Sequence, residues 1–383
     1  MNLAGRSAVS AALALLLVTV STPAAAAGAN RYYDPAKPHH TPDGFRNNHG
    51  GQVNKPLSDL LRWRWQAFRD DLPPPPAQPV QSVLPELARL QANGGNGSPP
   101  AIPADASVPS ATWIGHATVL VQSGGLNILT DPVFSERASP VQFAGPRRAQ
   151  PPGIALAHLP RIDVVLISHN HYDHLDRASV VLLSQRSQGQ TLFLVPLGLK
   201  PWFEEQGIRN VVELDWWEAH QHRRVEFRMV PVQHWSARGL GDRNQTLWGG
   251  WAVFAPDLHW YFSGDAGYSR DFADTRERFA PRQRDGGFDL ALLAIGAYEP
   301  RWFMQEQHTN PAEAVRAHKD LGARRSLGIH WGTFNLSDEA LDQPPRDLAL
   351  ARQAEGVAEQ DFFLLRIGET RWLEPRKNGQ SLP

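Results

Sequence analysis

Three imidazoles and a carboxylate stand together at His169-Asn170-His171-Tyr172-Asp173-His174. Directly upstream, residues 163–168 read DVVLIS, a short apolar run with the content of a buried strand. A chain leaving such a strand sends side chains two apart to the same side, so His169 and His171 can converge. Asp173 and His174 follow where a helix is expected to start, and from there they can point back at a second centre. Nitrogen and oxygen donors of this kind suit zinc, and two metal ions about 3.5–4 Å apart form a clamp for displacement chemistry. The chain has no cysteine, so a transition-metal site here must use His, Asp, Glu or backbone.

A two-metal site also needs donors from distant segments. His234 follows VEFRMVPV, Asp265 closes WYFSG, and His330 follows SLGI. Each placement repeats one device, a rigid strand delivering a polar side chain to the sheet edge. Singly, Asp265 also reads as a turn residue, and His234 or His330 as a structural histidine; with the dense cluster they complete a set. Gln307-His308 lies on a loop before Asn310-Pro311, a helix start with Glu313 in its first turn. His308 is either a loop packing residue or a neighbour of the metals. His116 is either a turn residue or a hydrogen-bond partner that orients a ligand. His220 and His222 lack a following Asp-His and read as surface loop, as does the His39-His40 pair.

Elements of both kinds must hold these residues. Strands are expected at 118–122, 126–130, 163–168, 191–195, 225–232, 251–254, 260–263 and 290–295, and helices at 177–186, 200–206, 310–321 and 346–355. Their mixture predicts an α/β architecture of two sheets with helices outside. The 383 residues carry a formal net charge of -1, so no global field favours nucleic acid or an anionic membrane. Arg6, the apolar run 8–20 and Ala25-Ala26-Ala27 read as a secretory signal peptide over 1–27, with an uncleaved anchor as the alternative. The expectation is an exported protein, periplasmic or extracellular. Residues 28–110 read as an N-terminal extension with linkers, and 111–383 as the catalytic domain. Within the extension, Leu57, Leu60, Leu61, Trp65, Phe68 and Leu72 recur at helical spacing, with Arg62, Arg64 and Arg69 among them. That helix either packs on the catalytic domain or meets lipid head groups at a membrane.

HNHYDH resembles the HxHxDH signature of the metallo-β-lactamase superfamily. More of the chain is similar to its N-acyl-phosphatidylethanolamine-hydrolysing phospholipase D family: GFRN at 44–47, WIGHATVLVQ at 113–122, LTDPVF at 129–134, LDWWE at 214–218 and MQEQHTNPAEAV at 304–315. The resemblance implies an αββα sandwich with an N-terminal extension. It implies two Zn²⁺ ions, with Mn²⁺ or Fe²⁺ acceptable to the same donors. His169, His171 and His234 would hold one, Asp173, His174 and His330 the other, and Asp265 would bridge both. It implies hydrolysis of a phospholipid phosphodiester by a metal-bridging hydroxide, releasing N-acylethanolamine and phosphatidic acid. Asp173 or His308 would move the proton, with Asp265 the third catalytic residue, and His308 would sit beside the metals to orient the phosphate. An apolar groove is then required, and Trp216, Trp217, Trp302 and Phe303 either line it or serve as core. Two alternatives stay open: a metal-dependent lactonase or other ester hydrolase of the same fold, and a non-catalytic exported metal-binding protein.

Overall fold

Several strands of this chain are apolar on both faces, which requires packing against both. In Thr118–Ser123, Val119 and Val121 face one side and Leu120 the other; in Val164–Leu166 the outer pair opposes Val165. The first set joins a large core shared between two sheets. The second set packs with Val180 and Leu183 of the helix Arg177–Arg186 and with Phe203 of the helix Lys200–Glu205.

The computed structural model describes residues 30–50, 52–94, 107–239 and 241–376. It has two mixed seven-stranded sheets packed face to face with helices outside, the sandwich expected. One sheet runs Thr370–Trp372, Ser110–Gly115, Thr118–Ser123, Leu126–Thr130, Val164–Leu166, Leu192–Pro196, Val211–Leu214. The other runs Phe362–Phe363, Ser326–Ile329, Leu290–Ala294, His259–Phe262, Gly250–Phe254, Val225–Val230, Ala219–His222. His169, His234, Asp265 and His330 each follow a strand end by a few residues, so both sheets deliver donors to one edge.

Differences from the expectation have local causes. Asp173 and His174 sit on a turn, closed by the His174 and Leu175 amides on the His171 carbonyl at 3.1 and 2.8 Å, and the helix begins only at Arg177. The last long helix is Gln343–Glu355, starting earlier than expected because Pro344 and Pro345 lie in its first turn, where proline is tolerated. Pro311–Asp320 starts as expected, with Asn310 and Glu313 forming a reciprocal capping box. Three helices carried too weak a pattern to be expected: Leu87–Gly94, Asp271–Phe279 and Arg301–Met304. His220 and His222 lie on the edge strand Ala219–His222 and not on a loop. The signal-peptide region, and the linker residues 95–106, fall outside the described residues. Among the described residues no helix is long and apolar enough to cross a membrane.

The largest correction concerns His39 and His40, which are buried rather than on a polar loop. Both Nε2 atoms meet the Asp215 carboxylate, at 2.7 and 2.9 Å, and Lys37 Nζ reaches it at 2.5 Å. His39 also stacks on Trp216 at 4.4 Å. Farther on, Asn47 Oδ1 accepts from the His234 amide at 3.0 Å and from Trp248 Nε1 at 3.1 Å. The extension is thereby tied to the loops that carry the candidate site.

Burial opposes the charge on Asp215, but the hydrogen bonds from His39 and Lys37 outweigh it and hold the carboxyl well below its usual range. A depressed folded-state value contributes stability above the unfolded range near pH 4 and loses it as pH falls further. Asp215→Asn should therefore lower stability at pH 7 by roughly 1.5–3 kcal/mol. In melting curves the gap between variant and wild type should narrow from pH 4 towards pH 2; a gap independent of pH would contradict the assignment.

Candidate metal centre

Two groups of donors adjoin at the sheet edge. His169, His171, His234 and Asp265 offer ligand atoms all within 4.8 Å of one another, and so do His116, Asp173, His174 and His330. Asp265 lies between the groups. Its Oδ2 is 3.1 Å from His174 Nε2 and 3.8 Å from both His169 Nε2 and His234 Nε2, and its Oδ1 is 3.0 Å from His330 Nε2. Every donor inferred from the sequence is thus brought to one place, with His116 standing in the second group beside Asp173, His174 and His330. His308 joins them, with Nδ1 3.8 Å from Asp265 Oδ2 and its ring 5.3 Å from that of His234.

Neighbouring groups decide which ring nitrogen faces the centre. His234 Nδ1 lies 2.9 Å from the Gln307 carbonyl, which only accepts, so Nδ1 carries the proton and Nε2 presents a lone pair. His174 Nδ1 is 2.7 Å from Asp131 Oδ2. Ser168 Oγ donates to the same carboxylate at 2.5 Å and is therefore left to accept from His169 Nδ1 at 2.9 Å. Three imidazoles are fixed in the tautomer a metal ion requires. His171 instead turns Nδ1 inward, 2.7 Å from His169 Nε2. Asp265 Oδ1 and the Nδ1 atoms of His308 and His330 are buried without a hydrogen-bond partner.

The electrostatics of the rings and carboxylates suit cation ligation. Burial pushes His234 down to about 3 and His171 to about 4, and holds His169 far below its ordinary value. These rings stay neutral and able to ligate. Burial also disfavours a charged His330, but Asp265 and Asp173 raise it to about 9. Asp173 and Asp265 remain ionised despite burial because imidazoles surround them, His174 first. The donor set, the fixed tautomers and the unpartnered buried atoms fit two divalent cations.

Sequence reasoning missed Asp131. Its motif, LTDPVF, contributed to the resemblance but was given no chemistry. Yet Asp131 follows Leu126–Thr130 as the other acids and histidines follow theirs, and that repetition was the available signal. It is fully buried and orients His169 through Ser168 and His174 directly. His116 Nε2 donates to Asp173 Oδ2 over 3.0 Å, which places it among the orienting groups and not merely in a turn. Asp131, His116 and His330 all adopt positive φ, at 31°, 54° and 63°. Such backbone costs about 1–3 kcal/mol each and persists where its surroundings over-determine it; here the His330 amide donates to the His116 carbonyl at 3.0 Å and the His116 amide to Thr333 Oγ1 at 2.8 Å.

The cavity over these clusters is about 350 Å³. His171, Asp173, Asp265 and His308 line its floor, and Leu60, Trp63, Phe303, Met304 and Leu336 line an apolar wall. Of the four aromatics considered for a groove, Phe303 takes that role, stacked on Trp63 at 4.8 Å. Trp216 is core, Trp217 packs against the core, and Trp302 is partly exposed beside the wall.

A two-sheet sandwich that gathers two His/Asp clusters at one edge belongs to the class of metal-dependent hydrolases. Residues 126–331 match a beta-lactamase superfamily domain. The chain is 42% identical over 271 residues to N-acyl-phosphatidylethanolamine-hydrolyzing phospholipase D 1 of Caenorhabditis elegans, covering 68% of this chain and 74% of that one. It is 37% identical over 267 residues to the mitochondrial enzyme of that name from Saccharomyces cerevisiae, covering 68% and 55%. A solved structure of a possible metal-dependent hydrolase from Veillonella parvula aligns with a TM-score of 0.56 at 17% identity, covering 70% of this chain and all of that one, a likeness of fold. The chain belongs to the metallo-β-lactamase superfamily and, within it, to the N-acyl-phosphatidylethanolamine-hydrolysing phospholipase D family.

Asp131→Asn keeps the shape but exchanges an acceptor for a donor beside His174. Metal affinity should fall by about 10–100-fold, measured by chelator competition on the purified protein. An unchanged affinity would show that Asp131 does not set the histidine tautomers.

Proposed function

We propose that this chain is a dinuclear zinc phosphodiesterase of phospholipase D type. Its substrates are N-acyl-phosphatidylethanolamine-like lipids, and its products are N-acylethanolamine and phosphatidic acid. The observation that carries the reading is the apolar wall of Leu60, Trp63, Phe303, Met304 and Leu336 standing directly over the metal clusters. Similarity to two phospholipases D of this specificity supports the substrate class.

His169, His171 and His234 would hold one ion, Asp173, His174 and His330 the second, and Asp265 would touch both. Bound there, the ions supply Lewis-acid stabilisation of the phosphate and water acidic enough to attack at neutral pH. The residues do the remaining work. His116 and Asp131 hold Asp173 and His174 in their inward rotamers. Trp63 and Phe303 exclude bulk water from one side. Burial pushes His308 down to about 3, so it meets the substrate as a neutral imidazole. That state suits a hydrogen bond to a phosphate oxygen better than delivery of a proton, and Asp173, on the cavity floor, is then the group placed to move one.

A cavity of about 350 Å³ admits a headgroup and not a whole diacyl lipid. The acyl chains must therefore stay outside, and the helix Leu57–Arg69 forms that lip. Trp63 is docked, its Nε1 donating to Asp338 Oδ2 at 2.8 Å, while Trp65 and Phe68 are 58% and 81% exposed. Arg62 lies over exposed Trp302 at 4.4 Å and Arg69 over Trp65 at 4.8 Å. Both sequence readings of this helix thus have a face. The apolar face with arginines beside aromatics supports peripheral contact with a lipid surface. Export through residues 1–27 belongs to the same proposal.

Purified protein should release N-acylethanolamine from N-acylated phosphatidylethanolamine, and a chelator should abolish the release. Absence of release from protein that binds two metals would reject the lipid reading in favour of a lactone or other ester. The double variant Trp65→Ser, Phe68→Ser should cosediment with phospholipid vesicles at least several-fold less than wild type, with hydrolysis of detergent-dispersed substrate retained. Equal cosedimentation would remove this helix from the membrane contact.

A further inference from the structure

Two cations line the cavity, and the fold treats them differently. Lys55 Nζ is neutralised by Glu306 Oε2 at 2.8 Å. Arg243 has no carboxylate within 4.0 Å among the described residues. One of its donors meets the Val53 carbonyl, and its Cζ lies over the Trp235 ring, 4.0 Å from the centroid. Trp235 is itself held, with Nε1 donating to Gln307 Oε1 at 2.8 Å and its ring 4.3 Å from the His171 ring. One aromatic ring thus separates a fixed, half-buried guanidinium from a donor of the metal centre. Burial alone acts on Arg243, lowering its pKa while leaving it charged.

A cation held partly out of water without a carboxylate partner favours an anion beside it, and a cavity lined by one is suited to an anionic ligand. The acids on the cavity floor, Asp173 and Asp265, are taken up by the histidine clusters. An arginine fork matches the oxygens of a phosphate and binds an anionic diester more strongly than an uncharged ester. We propose that Arg243 is a specificity-determining residue that takes the anionic phosphate of the substrate, so that the cavity selects phosphodiesters over uncharged esters and lactones. The proposal rests on the phosphodiesterase reading for its substrate, and it assigns the choice of substrate to a side chain outside the metal clusters.

The test is calorimetric binding to the metal-loaded full chain, with dibutyl phosphate as the anionic diester and tributyl phosphate as its uncharged analogue. Arg243→Gln should weaken dibutyl phosphate binding by about 10–100-fold and leave tributyl phosphate within about twofold. Arg243→Lys, which keeps the charge and loses the fork, should fall between. Equal weakening of both ligands, or of neither, overturns the proposal. Arg243 also supports the Val53 carbonyl, so melting temperature and metal content are read alongside. If the glutamine variant does not fold, the lysine variant decides, by losing affinity for the diester alone or not. Turnover of N-acylated phosphatidylethanolamine by wild type is scored separately. Wild-type cleavage with an unselective Arg243 would defeat only this inference; charge-selective binding without cleavage would defeat only the phospholipase reading.

Discussion

Everything in this molecule is arranged around a collection of donors that do not belong together without a cation. His169, His171, His174, His234 and His330 converge with Asp173 and Asp265 at the floor of the cavity, most of them buried. The neutral rings of His169, His171 and His234 gain nothing from crowding together, and two carboxylates nearby are expensive to bury. Such a site stands only if its surroundings hold each ring in place. Asp131, through one carboxylate, fixes His174 and, by way of Ser168, His169. The Gln307 carbonyl fixes His234. The sandwich makes this feasible because two stiff sheets end at the same edge, each presenting its donors from a short loop.

How much of this was legible in the sequence depended on how local the signal was. The HNHYDH run, the strand ends before His234, Asp265 and His330, and the Asn310 cap all announce themselves within a dozen residues, although Asp173 and His174 lie on a turn and not at the expected helix start. The burial of His39 and His40 could not be read that way. Their partner, Asp215, lies more than 170 residues away, and a pair of histidines among Lys, Pro and Thr has the composition of a loop. Asp131 was hidden for a different reason: an acid after a strand has many uses, and only the positions of Ser168 and His174 give it one. The short helices Arg301–Met304 and Leu87–Gly94 are set by packing more than by pattern.

The extension connects the two halves of the functional argument. Residues 30–50 tie down the loops bearing Asp215 and His234, and the next segment, Leu57–Arg69, forms the cavity lip. One stretch therefore stiffens the donors and shapes the entrance. Chemistry and access are coupled through the same piece of chain, and the exposed side of its helix is where an apolar substrate would arrive.

Asn47 carries a consequence for how the protein is made. It holds the amide of His234, 187 residues away, and the indole of Trp248, 201 residues away. His174 likewise meets His330 across 156 residues. Contacts of such separation carry a large loop-closure cost, as does the pairing of Thr370–Trp372 with Ser110–Gly115 in one sheet. Until those contacts are made, the donors that lie close together along the chain are those within 169–174. The full donor set belongs to the finished fold, so a bound ion would stabilise that fold and partial unfolding would release it.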